Sequence, residues 1–148
     1  MENILGLCEG MEIATFAEGD VLIPEGGKTG CLFVLISGTV EITKGETFVT
    51  RIDEPGAIFG ELSILLGRDH PASVRAVSEV SCHVSRADKE FLVENPRINL
   101  AVAELLAVRL KGMIGYLADL KSQYEDRQDH LGMVDELLLQ LAHRMPKR

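Results

Sequence analysis

A chain of 148 residues is long enough for one domain that buries about two-thirds of the surface its unfolded form exposes. Hydrophobic residues make up 46% and charged residues 26%, as in an ordinary soluble globular protein, and no stretch has the length of a membrane span. The net charge of −8 falls on residues 1–96, where sixteen Asp/Glu face seven Lys/Arg, while residues 97–148 are nearly balanced. Neither part offers the basic face that nucleic acid requires.

Residues 1–10 are weakly patterned and support at most one turn of helix. No basic stretch precedes Ile4-Leu5, so no secretory signal is expected. From Met11 to about Arg86 the chain breaks into short β-type runs separated by glycine. Strands are expected over 12–16, 21–23, 31–37, 40–44, 48–52, 73–77 and 81–85. Turn residues stand between them at Gly19-Asp20, Glu25-Gly26-Gly27, Ser37-Gly38 and Pro55-Gly56, and Lys44-Gly45-Glu46-Thr47 reads as the tightest hairpin. Leu32-Phe33-Val34-Leu35-Ile36 is continuously apolar, which suits a strand buried on both faces. Strands this short at this spacing predict an all-β sandwich or barrel. Cys31 and Cys82 read as packing residues, and His83 as a surface or a satisfied core residue. With Cys8, the cysteines are too scattered for a disulfide framework or a metal site, and fit a reducing, cytoplasmic setting.

Between the fifth and sixth strands lies Phe59-Gly60-Glu61-Leu62, one turn of helix-compatible residues, a polar loop from Gly67 to Pro71, and Ala72-Ser73-Val74. A glycine before a short helix lets the backbone approach a ligand, and the first N–H groups of that helix lack intrahelical partners. Such donors suit a phosphate. A carboxylate beside them suits hydroxyls instead, as a ribose offers, and Ser73 could add a hydroxyl across the loop. The chemistry is that of a sugar-phosphate pocket.

This stretch resembles the phosphate-binding cassette of the cyclic-nucleotide-binding domain family, which runs Phe-Gly-Glu-Leu-Ala-Leu, a short loop, then Pro-Arg-Ala-Ala-Thr/Ser-Val. Phe59, Gly60, Glu61, Leu62, Gly67, Ala72, Ser73 and Val74 match it. His70 stands where the family places the arginine that pairs with the cyclic phosphate. Asp69 replaces the proline before it, and Arg68 lies two residues upstream. The resemblance implies a double-stranded β-helix (jelly-roll) barrel, with cyclic AMP or cyclic GMP as ligand and no further cofactor. It implies Phe59, Gly60, Glu61, Leu62, Arg68, His70, Ala72 and Ser73 as the ligand-binding set. Gly60 and Glu61 would serve the ribose, Ala72 and Ser73 the phosphate, and the long C-terminal helix would cap the base.

Residues 88–94 read as a short helix stopped by Asn95-Pro96. Beyond it, Leu106, Leu110, Met113, Leu117, Leu120, Tyr124, Arg127, Leu131, Val134, Leu138, Leu141 and Met145 recur at alternating intervals of four and three. That heptad series predicts a coiled coil. A homodimer is expected through Leu110, Met113, Leu117, Leu120 and Tyr124, with an interruption near 130–132, where Gly132 follows a polar run. The expected organisation is a β-barrel over 1–96 with short flanking helices, then a helix over 97–148.

No convergent acid–base or nucleophilic set stands out, so an enzyme is not expected. The expected function is a cytoplasmic cyclic-nucleotide sensor, a homodimer without its own output domain, read by an unidentified partner protein and touching neither nucleic acid nor membrane. The alternative is a degenerate member that binds no nucleotide and serves as a dimerisation or docking scaffold. The charge at His70 separates the two. A buried phosphodiester needs a cation, and an unperturbed imidazole is mostly neutral at pH 7.

Overall fold

The computed structural model describes residues 3–123 and 128–143. Its strands are β1 (Glu12–Phe16), β2 (Val21–Ile23), β3 (Cys31–Ser37), β4 (Val40–Lys44), β5 (Thr47–Ile52), β6 (Ile58–Phe59), β7 (Ser73–Ala76) and β8 (Val80–Arg86). They form two four-stranded sheets, ordered β1-β8-β3-β6 and β2-β7-β4-β5. Every neighbouring pair is antiparallel.

The main core lies between the sheets. Phe33, Leu35, Phe59, Val80 and Cys82 come from the first sheet, and Leu22, Ile23, Val40, Val74 and Ala76 from the second. Because side chains alternate along a strand, Leu32 and Val34 of β3 and Ile58 of β6 point away from that core. They are buried as well. The apolar run of β3 is therefore covered on both faces, as its continuity predicts. Cys8, Leu92, Ile98 and Val102, outside the strands, are buried too.

The hairpin at Lys44–Thr47 forms as expected, with Gly45 at φ +59° in its first central position, where a left-handed backbone matches the strand twist. Strand β6 has no counterpart in the sequence reading. Two residues are too few for any alternation to show, and only pairing with β3 makes Ile58–Phe59 a strand.

The helices are α1 (Ile4–Leu7), α2 (Glu61–Leu66), α3 (Lys89–Glu94), α4 (Pro96–Gln123) and α5 (Gln128–His143). Asp88 caps α3, its carboxylate accepting the Phe91 N–H at 2.8 Å. Pro96 opens α4, at a position where its missing N–H would have had no partner. The chain divides into two compact units, Met1–Val102 and Ala103–Arg148. Ile98 and Val102, both buried, fall in the first unit.

In the second unit, residues 130–132 lie inside α5. Among the described residues, α4 runs to Gln123 and α5 starts at Gln128. Lys121 Nζ donates to Asp135 Oδ1, fourteen residues on. A straight helix of that length would hold the two residues about 21 Å apart, beyond the reach of both side chains. The two residues therefore do not lie on one straight helix, and the heptad series does not form one straight seam. Leu117 is buried in α4 and Leu120 half-buried, while Leu110 and Met113 are exposed. Tyr124, Arg127 and Met145 lie outside the described residues.

Candidate functional site

The cassette begins where β6 ends. Gly60 has φ +92°, and a β-carbon there would stand 2.5 Å from the Cys31 carbonyl oxygen on β3. Only glycine fits, so the chain turns sharply into α2 against a neighbouring strand. Glu61, first in α2, is 3% exposed. A buried carboxylate requires hydrogen bonds to remain there. At the other end of α2, Gly67 adopts φ +62°, and the loop closes through two bonds: Ser63 Oγ donates to Arg68 O at 2.5 Å, and Arg68 N–H to Ser63 O at 3.3 Å.

A second loop, residues 24–30, is clasped to the cassette around His70. Gly26 N–H donates to His70 O at 2.9 Å, and His70 N–H to Gly27 O at 3.0 Å. The imidazole is 3% exposed, and its Nε2 accepts the Thr29 N–H at 3.2 Å and meets Thr29 Oγ1 at 2.9 Å. An amide N–H can only donate, so Nε2 carries a lone pair and the ring is neutral. Burial pushes the His70 pKa below its ordinary value, and the Asp69 carboxylate offsets this in part.

Lys28 pairs with Asp69 at 3.7 Å on the rim of this clasp. Beside it, Glu25 N–H donates to Ser73 Oγ at 2.9 Å. The Glu25 carboxylate accepts from Gly45 N–H at 2.9 Å and from Lys44 at 3.5 Å. The Gly45 N–H is the first reason that the Glu25 pKa lies below its usual value. Lys44 Nζ also donates to Pro71 O at 2.8 Å.

The residues expected to form the site are thus placed very differently. Gly60 and Glu61 form the turn and the buried carboxylate. Phe59 is spent in the core, and Leu62 is 39% exposed. Arg68 is exposed, and Ala72 is half-buried. Thr29 occupies the His70 Nε2, and burial disfavours the imidazolium. Ser73 alternates with Val74 and Ala76, which face the core, so its hydroxyl lies on the opposite face, bonded to the 24–30 loop.

Thr29, Glu25 and Lys44 escaped the sequence reading because they reach the cassette from 27 to 48 residues away. Pro71 has no N–H, so the loop lacks a backbone donor directly after His70. Among the described residues no group of His, Cys, Asp or Glu could hold a metal ion, and no helix is long and apolar enough to cross a membrane.

A stability test follows from His70. The unfolded imidazole titrates near about pH 6.5, and the folded one lower. The contribution of the neutral ring is therefore complete above about pH 6.5 and is lost as pH falls toward the folded pKa. In urea unfolding at pH 7.5 and 5.5, the native chain should lose more stability on acidification than His70→Gln, which cannot titrate. Parallel losses would show that His70 is not the responsible group.

The family model for the cyclic nucleotide-binding domain matches residues 13–94, which include both sheets and the whole cassette. The chain belongs to the cyclic nucleotide-binding domain family. A CRP-like cAMP-activated global transcriptional regulator of Mycobacterium tuberculosis is 30% identical to it over 147 residues, 95% of this chain. The match spans 63% of that relative's length. A cAMP-dependent protein kinase regulatory subunit of Hypocrea atroviridis is 38% identical over 74 residues, 50% of this chain and 16% of the subunit. Both are named as regulatory proteins. Among solved structures, the Thermus thermophilus catabolite activator protein aligns with a TM-score of 0.64 at 23% identity, covering 84% of this chain and 59% of that one. At that identity the likeness concerns the fold: a cyclic nucleotide-binding domain with two antiparallel sheets followed by a long helix.

Proposed function

We propose that this cyclic nucleotide-binding domain is a cytoplasmic regulatory sensor, not an enzyme, whose cassette reads the sugar of a cyclic nucleotide through Glu61. The buried Glu61 carboxylate beside the Gly60 turn carries this reading. Inside a protein such a group is stabilised by donors, and ribose hydroxyls are donors. The alternating strand order of the two sheets supports a jelly-roll barrel around it. The names of the two relatives support cyclic AMP as one ligand to test, with cyclic GMP as the other. Leu110 and Met113, exposed on α4 together with Ile114, support a homodimer through this part of the helix, whose state an output partner reads. Light scattering that returns a monomer at micromolar concentration would remove the dimer from this account. The acidic character of residues 1–96 supports no nucleic-acid contact by that part.

Calorimetric titration of the native chain with each cyclic nucleotide, repeated with Glu61→Gln, tests the sensor. The substitution replaces one acceptor oxygen with a donor, and a hydrogen bond to a charged group is worth about 1.5–3 kcal/mol, so affinity should fall about ten- to a hundredfold. Equal affinity in the two proteins would move Glu61 to a structural role. A second reading is favoured by the neutral, sequestered His70: a degenerate member that binds no nucleotide and acts as a dimerisation or docking scaffold. Absence of heat with every ligand would select it.

A further inference from the structure

The loop over residues 24–30 is a strap fixed at both ends and held in its middle by one residue, His70. At its start the Glu25 carboxylate accepts from Gly45 N–H at 2.9 Å and from Lys44 at 3.5 Å, and Glu25 N–H donates to Ser73 Oγ at 2.9 Å. At its end Gly30 O accepts from Ala87 N–H at 3.0 Å. Between these anchors, Gly26 N–H donates to His70 O, His70 N–H donates to Gly27 O, and Thr29 brings its N–H and hydroxyl to the imidazole Nε2. Lys28 also pairs with Asp69, but both side chains are more than half exposed, so the pair adds little. Gly26, Gly27 and Gly30 are three of the seven residues, and holding them in one conformation costs more backbone entropy than for other residue types.

The ring has one place for a second proton. Because Nε2 accepts the Thr29 N–H, the neutral ring carries its hydrogen on Nδ1. A further proton enters at Nε2 and meets the Thr29 N–H, whose nitrogen is 3.2 Å away. Two donors cannot share that contact. Thr29 Oγ1, at 2.9 Å, can accept from the new N–H, but the Thr29 N–H then loses its acceptor beside a ring that is 3% exposed. Movement of the strap into water restores a partner to both donors. We propose that residues 26–29 are a proton-released strap: protonation of His70 at Nε2 detaches them from the cassette, while Glu25 and Gly30 keep their anchors and both sheets stay folded. The other charged groups on the segments that meet here are Arg68 and Asp69 beside the histidine, Glu61 on α2, Glu25 and Lys28 on the strap, Lys44 on β4, and Arg86 and Asp88 around Ala87. Lysine, arginine and carboxylate side chains ordinarily titrate outside pH 5.0–7.5, and His70→Gln isolates the imidazole from all of them.

The test is a pH titration of the full chain by NMR between about pH 7.5 and 5.0, which follows the ¹⁵N shifts of the His70 ring together with backbone order parameters. At the upper end the ring should show Nδ1 protonated and Nε2 bare, and the Gly26–Thr29 backbone should be rigid, with order parameters near about 0.85. As Nε2 takes up its proton, the order parameters of Gly26, Gly27, Lys28 and Thr29 should fall below about 0.6 in step with the ring. Gly45 and Ala87, the donors at the two anchors, should stay rigid. His70→Gln should keep the strap rigid at both ends of the range; where that variant does not fold, the contrast between strap and anchors in the native chain decides alone. A strap that stays ordered while the ring titrates would overturn the proposal, as would a ring still neutral at pH 5.0. Loss of order at Gly45 and Ala87 together with the strap would mean general unfolding and overturn it too, and so would a strap that loosens with acid in His70→Gln.

Discussion

Gly60→Ala should destabilise the protein by about 3 kcal/mol or more, the larger part of the stability of a marginal domain. Two costs combine. A residue with a β-carbon pays about 1–2 kcal/mol for the left-handed backbone at φ +92°. The new β-carbon would also press on the Cys31 carbonyl oxygen at 2.5 Å, within a paired strand that cannot yield easily, for about another 1–3 kcal/mol. Gly67→Ala is the matched control. It has φ +62° but nothing within 4 Å of its added carbon, so it should cost only the backbone term. Urea unfolding of the two variants separates these contributions. Equal midpoints would mean that β3 gives way and that the close approach to Cys31 is not what demands glycine.

Leu35→Ala should cost about 3–5 kcal/mol, as truncation of a fully enclosed leucine does. Leu35 has no exposed surface and sits in the cluster between the sheets. Its backbone also joins β3 to the turn before β6, accepting from Gly56 N–H at 2.7 Å and donating to Ala57 O at 2.8 Å. The side chains around it are therefore held from several directions and cannot collapse into the space. Leu62→Ala, at a leucine 39% exposed on α2, should cost less than about 1 kcal/mol. Comparable losses at the two positions would contradict the assignment of Leu62 to the surface and Leu35 to the core.

The contrast between Leu35 and Leu62 also marks what could be read before the fold was seen. The five apolar residues 32–36 carry their burial in their own composition, because a half-solvated strand would alternate. Leu62 matches a family motif, and a motif does not say which way a side chain points. The same is true of Ser73. Its hydroxyl suits a ligand, but pairing of β7 with β4 puts its neighbours Val74 and Ala76 into the core and turns Ser73 outward.

The C-terminal helices divide along the same line. The four-three spacing correctly announced helix, since that periodicity belongs to the backbone itself. Whether such a stripe meets a second chain or its own continuation depends on where the helix ends. The Lys121–Asp135 bond shows that the stripe does not continue along one straight helix.

Local chemistry thus determined the strands, the hairpin at Gly45, the cap at Asp88 and the glycine turn ahead of Glu61. Each of these depends on residues within a few positions of one another, where backbone sterics and short-range hydrogen bonds act. The electrostatic character of the site was decided by tertiary structure. His70 alone is an imidazole that titrates near neutrality. It becomes a buried, neutral acceptor only because Thr29, 41 residues earlier, brings its N–H and hydroxyl to the ring. Burial in a medium of low polarity then holds the proton off, and no pattern along the chain records that encounter.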